Sequence, residues 1–165
     1  MITKLYNLIL KKCLIIAFIL MSIQAFGVEK ISNGVIYEID LTAGNAAIIG
    51  HDASKIKENV TIPESITYDG EKYSVLSIAS NSFKGLTSLK HISLPNSITT
   101  IGSSAFENCS GLQSFSLSNS ITHIEKRTFA GCSSLTSISS LPTSITFIGD
   151  SAFFYCKNLI SVILP

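Results

Sequence analysis

Three cysteines carry the side chains best suited to nucleophilic chemistry, and they stand at nearly even spacing. Cys109, Cys132 and Cys156 are 23 and 24 residues apart. The segment around Cys109, AFENCSGL, has the small-residue turn, the nearby glutamate and the glycine of a nucleophile loop. A catalytic residue has no reason to recur at a fixed period, whereas a core position of a repeating fold does. The spacing therefore predicts buried structural cysteines without a catalytic role.

The histidines and charged residues do not form a pattern typical of an active site. His51, His91 and His123 are far apart in sequence, and no His-x-x-x-His or Cys-x-x-Cys pair with metal-ligand spacing is present. Phosphate-binding loops, dinucleotide fingerprints and nucleophile elbows are also absent. We interpret the histidines as surface residues and Glu125–Arg127 as a solvated loop, with a contact patch as its alternative. The sequence predicts no enzyme, no catalytic, cofactor-binding or metal-binding residues, and no cofactor.

The cysteines belong to a repeat that fills the C-terminal part of the chain. Four segments align, 73–95, 96–118, 119–142 and 143–165, and the third has one extra serine near Ser139. A fixed period of this length is the signature of a solenoid, in which each coil buries its apolar face against its neighbours. The apolar slots predict one continuous core. They hold Val75, Ile98, Ile121 and Ile145; Ile78, Ile101, Ile124 and Ile148; Phe83, Phe106, Phe129 and Phe153; Leu89, Leu112, Leu135 and Leu159; Ile92, Phe115, Ile138 and Val162; and Leu94, Leu117, Leu141 and Leu164.

The cysteine slot itself supports a core role. It holds Leu86 in the first coil and cysteine in the other three, and free cysteine behaves as a small buried hydrophobe. A disulfide between neighbouring coils stays open as an alternative, because strands stacked about 4.8 Å apart lie within the Cα separation that a disulfide tolerates.

Each coil is expected to contain two extended stretches and one tight crossing. His91–Leu94, Ser114–Leu117 and Ser161–Leu164 alternate apolar and polar residues as short strands do. Ser97–Ile101 represents the second extended stretch. The AF-x-x-C-x-x-L arm lacks alternation and is interpreted as a tight turn or a single helical turn. The fold class predicted is a β-rich solenoid, a right-handed stack of coils of about 23 residues with short parallel strands and irregular or short helical crossings.

The N-terminus is typical of an export signal. The apolar run CLIIAFILM is preceded by three lysines, Lys4, Lys11 and Lys12. Small residues follow it at Ala25 and Gly27. We predict a signal peptide over residues 1–27, with cleavage after Gly27 or after Ala25; a retained membrane anchor is the alternative. Cleavage reduces the 12 basic residues to 9 against 11 acidic ones, a net charge of −2. No basic stripe remains, so nucleic acid is not an expected partner, and no membrane span is expected after cleavage.

The repeat resembles the BspA-type leucine-rich repeat of bacterial and protozoan surface proteins. SITTIGSSAFENCSGL and SITFIGDSAFFYCKNL carry most of that signature, whereas Leu86 and Glu125–Arg127 depart from it. The resemblance extends upstream: 60–78 is similar to a first-repeat variant with a hairpin at Asp69-Gly70, and 34–49 to a capping strand pair. Residues 28–72 are therefore assigned to the cap and first-repeat variant.

The resemblance implies an exported protein that takes part in adhesion. Serine, threonine and histidine recur at the outward positions of both extended stretches, and solenoids use such faces for binding. We expect an extracellular protein or glycan as partner; a structural spacer, or a fragment of a larger surface protein, without its own ligand is the alternative. The last coil, which has no polar cap after it in this sequence, predicts that the chain either continues in its natural context or associates end to end through this coil. Asn59 and Asn108 fit the glycosylation pattern, which applies in a eukaryotic secretory pathway.

Overall fold

The first strand of the described residues begins at Val28, immediately after the predicted signal peptide. The computed structural model describes residues 27–138, 141–160 and 162. The predicted signal sequence, apart from Gly27, and the predicted strand Ser161–Leu164, apart from Val162, lie outside the described residues. In chain order the described strands are β1 (Val28–Ser32), β2 (Val35–Asp40), β3 (Asn45–His51), β4 (Asn59–Thr61), β5 (Ser65–Tyr68), β6 (Glu71–Ile78), β7 (His91–Ser93), β8 (Thr100–Ile101), β9 (Ser114–Ser116), β10 (His123–Ile124), β11 (Ser137–Ile138) and β12 (Phe147–Ile148).

An antiparallel meander covers the N-terminal end of the array. β1 pairs with β2 and β2 with β3, so the expected capping pair is extended by one further strand. Asn33 and Gly34 both have positive φ, 51° and 81°, which is the geometry of a tight hairpin turn. β3 then pairs in parallel with β6 and joins the meander to the coils.

The hairpin expected at Asp69-Gly70 is present. β5 and β6 pair antiparallel, and the two turn residues have φ of 49° and 82°. Positive φ at both central positions defines a type I′ turn, whose twist matches that of the flanking strands. The end of β6 also pairs in parallel with β8, so the hairpin leads directly into the repeats.

Two sets of short parallel strands run through the repeats. β4, β7, β9 and β11 form one sheet, and β10 pairs with β12 on the other side. His91 lies opposite Ser114, 23 residues away, and Thr122 bonds to Thr146, 24 residues away. The extra residue of the third coil is therefore absorbed without loss of register. This architecture supports the leucine-rich-repeat solenoid predicted from the sequence.

The crossing arms are made of tight turns, and no helix occurs in the described residues. Of the two interpretations of the AF-x-x-C-x-x-L arm, the tight turn is the one observed. Backbone N–H groups in these turns donate across coils, as Phe83 does to Ala105 over 2.8 Å and Phe106 to Thr128 over 2.9 Å. Two positions of every coil adopt positive φ. They are Asn81, Ser104, Arg127 and Ser151 at the first position, and Gly85, Asn108, Gly131 and Tyr155 at the second.

The phenylalanine slot forms a stacked column through the core. Ring centroids of Phe83, Phe106, Phe129 and Phe153 follow each other at 5.3, 5.4 and 5.6 Å, with planes within 3° of parallel. The first three rings are fully buried. Because the rings of Phe106 and Phe129 are covered by the coil before and the coil after them, the column makes the coils depend on one another.

The last coil departs from the predicted core. Ile148, expected in an apolar slot, is 40% exposed, and Phe153 and Leu159 are half-buried. The physical reason is that these slots are buried from both sides in the middle coils, whereas no described coil covers them on one side here.

Candidate binding surface

The cysteine thiols donate hydrogen bonds to backbone carbonyls of the preceding coil. The sulfur of Cys109 lies 3.0 Å from the carbonyl oxygen of Phe83. Cys132 contacts the carbonyl of Phe106 at 3.2 Å, and Cys156 that of Phe129 at 3.1 Å. Each thiol thus supplies a second donor to a carbonyl already bonded within its own turn.

Leu86 fits the same geometry. It occupies the cysteine slot of the first coil, and its backbone N–H donates to the carbonyl of Phe83 over 3.1 Å, as that of Cys109 does to Phe106. Its side chain is buried, so the slot accepts an apolar residue in place of a thiol.

These thiols lack the surroundings of a nucleophile. Cys109 and Cys132 are buried, Cys156 is half-buried rather than buried as expected, and all three are free thiols. Burial raises the pKa of Cys109 to about 12 and raises the pKa of Cys132 and of Cys156 as well. Since the thiolate is the reactive form, the cysteines are held in an unreactive state. The alternative of a disulfide between coils is not realised in this structure.

His51 was expected at the surface, and the structure corrects this. Its ring is half-buried and stacks on Phe83, with centroids 6.0 Å apart and planes at 14°. Its Nδ1 lies 2.7 Å from the carbonyl oxygen of Ser82. The imidazole therefore extends the aromatic column by one ring into the N-terminal cap, a role that spacing alone does not reveal because His51 precedes the repeats.

The glutamate of the AFENCSGL segment is a buried carboxylate that joins three coils, a structural role that its place in the sequence did not indicate. Glu107 is buried and its Oε2 lies 3.0 Å from Lys84 Nζ of the preceding coil. Arg127 of the following coil donates through Nε to Oε1 over 3.1 Å. The hydrogen bonds from Arg127 are the main reason that the pKa of Glu107 falls from 4.5 to about 2. Arg127 is thus an ion-pair partner, which corrects the interpretation of Glu125–Arg127 as a solvated loop.

The outward side chains of the β4–β7–β9–β11 sheet form two polar rows, which we call the hydroxyl ladder. Strand pairing places the members of each row on adjacent strands, about 4.8 Å apart. All are exposed except Ser114, which is half-buried and bonded to His91 Nδ1 over 2.8 Å. The first row is Asn59, His91, Ser114 and Ser137, and the second is Thr61, Ser93 and Ser116.

The hydroxyl ladder lines a shallow groove of about 520 Å³. The apolar residues that alternate with it, Ile92, Phe115 and Ile138, are buried under the sheet. The polar side chains of the ladder line this groove together with Val60, Ile92 and Phe115, so a ligand meets both polar and apolar surface there. His91 lies here, at the outward position predicted for it.

A second groove of similar size lies on the other set of strands. Thr100 and His123 contribute to it, and the ring of His123 is 5.7 Å from that of Phe147. His123 is exposed as predicted, and so is Phe147. The two grooves are on separate surfaces, so the structure does not bring His91 and His123 together.

In residues 27–138, 141–160 and 162, no three His, Cys, Asp or Glu side chains are grouped as a metal ion would require. Over the same residues, no helix has the length and apolar character to cross a bilayer.

The chain matches the model of the BspA type leucine rich repeat region (6 copies) over residues 58–165. That match covers more than half of the chain. No curated protein matches it significantly.

Solved structures of leucine-rich repeat proteins are similar to this chain. One from Bacteroides ovatus is 30% identical with a TM-score of 0.70, and the match covers 82% of this chain and 41% of that one. One from Bacteroides capillosus is 27% identical with a TM-score of 0.74, and the match covers 83% of this chain and 98% of that one. A leucine rich cell surface protein from Faecalibacterium prausnitzii shares the fold. It is 23% identical with a TM-score of 0.63, and the match covers 84% of this chain and 43% of that one. The chain thus spans less than half the length of the first of these proteins.

Proposed function

This chain belongs to the BspA-type leucine-rich repeat family, and we propose that it is an exported, non-catalytic binding module. In this proposal the hydroxyl ladder binds an extracellular protein or glycan, and the protein takes part in cell-surface adhesion. The array supplies a rigid frame, because each coil is fixed to the next by backbone hydrogen bonds and by the phenylalanine column.

The regular exposure of polar side chains on one sheet face is the observation that carries this proposal. Side chains of Ser93 and Ser116 occupy matching positions on adjacent strands of a sheet whose backbone is already paired. Their hydroxyl groups are therefore available for a partner, and each can donate and accept a hydrogen bond. A rigid set of such groups binds with little loss of conformational entropy.

Two observations support export. The N-terminal sequence has the organisation of a signal peptide, and a structural neighbour is described as a cell surface protein. We place the protein in the secreted or cell-surface fraction on these grounds.

Self-association through the last coil is a further part of the proposal. Several large apolar side chains of this coil are exposed and accessible to a second copy of the chain. They are Phe147, Ile148, Phe154, Tyr155 and Ile160.

The test uses the chain from Val28 onward, labelled with a fluorophore, and measures saturable binding to epithelial and to bacterial cells. Ser116→Glu places a carboxylate in the middle of the hydroxyl ladder and is expected to abolish binding. Thr100→Glu is the matched control, because it makes the same kind of change at an exposed strand position of the other face. Absence of saturable binding to any cell would leave the spacer role in its place, and equal loss in both variants would contradict the assignment to the ladder.

A further inference from the structure

The hydroxyl ladder continues at one end into a pocket that carries lysines. This pocket of about 350 Å³ is lined by Lys55 and Lys57 from the loop between β3 and β4. It shares Asn59, Val60 and Thr61 with the groove of the ladder. The two depressions therefore form one track that runs across the strands from the lysine pocket toward Ser137.

The charges around this pocket are unequally neutralised. Lys55 Nζ lies 2.9 Å from Asp52, and Lys90 Nζ lies 2.7 Å from Glu58. Within the part of the chain that the structure describes, Lys57 has no such acidic partner. Its exposed ammonium group is available to an anion at the beginning of the track.

The remainder of the track carries polar side chains at periodic positions, and Val60, Ile92 and Phe115 also line it. Its side chains recur at strand spacing, about 4.8 Å, so four strands give a length of about 14 Å. None of the large exposed apolar side chains of the described residues lines the track, so it offers no exposed apolar anchor of the kind that dominates many protein interfaces. A periodic row of hydroxyl groups is best matched by a ligand whose own hydroxyl groups repeat.

We propose that the track binds an acidic polysaccharide, with a uronate carboxylate at Lys57 and sugar hydroxyls along the hydroxyl ladder. The proposal rests on the binding function proposed above and specifies its ligand class. A hydrogen bond to a carboxylate is stronger than one between neutral groups, so Lys57 supplies affinity and orientation. The ladder then supplies several weaker contacts, each to a separate sugar unit.

The experiment measures binding of the chain from Val28 onward to polygalacturonate by isothermal titration at low and moderate salt. Fully methyl-esterified polygalacturonate is the matched neutral ligand, since it keeps the sugar backbone and removes the charge. Polyglutamate serves as the acidic peptide. We expect binding of polygalacturonate that weakens with salt, and weaker binding of the other two probes.

Variants separate the two parts of the track. Lys57→Ala is expected to reduce affinity for polygalacturonate roughly fivefold, as the loss of one exposed charge contact would, and to leave the neutral ligand unaffected. Lys126→Ala removes an exposed lysine near the other face and is the control. Ser116→Glu is expected to abolish binding of polygalacturonate, whereas Thr100→Glu is not.

The outcomes distinguish this proposal from the general binding function. Equal affinity for the esterified polymer, or tighter binding of polyglutamate, would overturn the acidic-polysaccharide assignment. Ladder-dependent binding to cells without any affinity for polygalacturonate would overturn it as well and leave the proposed function standing. A chain that binds neither cells nor any of the three polymers would refute both.

Discussion

The thiol of Cys132 donates to the carbonyl oxygen of Phe106, with 3.2 Å between sulfur and oxygen. The bond joins neighbouring coils between two of the slots that repeat most regularly in the sequence. It explains why a cysteine, which is apolar enough for the core and still a donor, occupies this slot.

The first prediction concerns thiol reactivity. Because burial raises the pKa of all three thiols, alkylation of the native protein at pH 8 should be slow, with Cys156 reacting before Cys109 and Cys132. Denaturation should expose three equivalent thiols. Mass spectrometry of the labelled chain from Val28 onward gives the number of alkylated cysteines before and after denaturation. A single label after denaturation, with a mass two hydrogens low, would instead reveal a disulfide between coils.

The second prediction concerns the phenylalanine column. Phe129 is fully buried and stacks on Phe106 and Phe153, so Phe129→Ala should lower the free energy of unfolding by about 3–5 kcal/mol. Phe147→Ala is the control, since Phe147 is 49% exposed and should be nearly neutral. Chemical denaturation followed by circular dichroism measures both. An unchanged midpoint for Phe129→Ala would contradict the stacked-coil fold.

The third prediction concerns pH. The pKa of Glu107 is lowered from 4.5 to about 2 in the folded state, mainly by Arg127. A lowered folded-state pKa gives stability that is present above the unfolded value and is lost as pH falls from about 4.5 toward 2. Glu107→Gln should therefore be less stable than the wild type at pH 7, and the difference should shrink over this range.

Thermal unfolding of both proteins from pH 7 to pH 2 provides the measurement. Asp52 also has a lowered pKa, but it is present in both proteins and cancels in the comparison. A difference in melting temperature that stays constant down to pH 2 would show that the ion pairs of Glu107 do not contribute.

The fourth prediction concerns self-association. Phe154 and Ile160 are two of the exposed large apolar side chains of the last coil. Light scattering across a concentration series should show a rise in mass for the chain from Val28 onward, and Phe154→Lys combined with Ile160→Lys should reverse it. Ile31→Lys, at an exposed isoleucine of β1 far along the array, is the control. A wild-type chain that remains monomeric at high concentration would refute the contact.

The repeat was readable from the sequence because a solenoid places the same physical demand on the same slot of every coil. Phe106 and Phe129 each fill a site with one coil on either side, so the same volume is required at the same slot and the period is visible in the sequence. The hairpin at Asp69-Gly70 was equally predictable, because few residues adopt positive φ at two successive positions. The cysteine slot could be assigned to the core because it, too, recurs at the same position of every coil.

Tertiary structure alone decided the features that depend on which coils meet. His51 lies before the repeats, and only the pairing of β3 with β6 carries it onto Phe83. Glu107, Lys84 and Arg127 occupy different slots of three coils and have no local pattern in common. Lys57 joins the hydroxyl ladder because the loop after β3 folds beside β4. Local sequence specifies turns and apolar periods, whereas the approach of distant charged side chains depends on the register between coils, which no single repeat encodes.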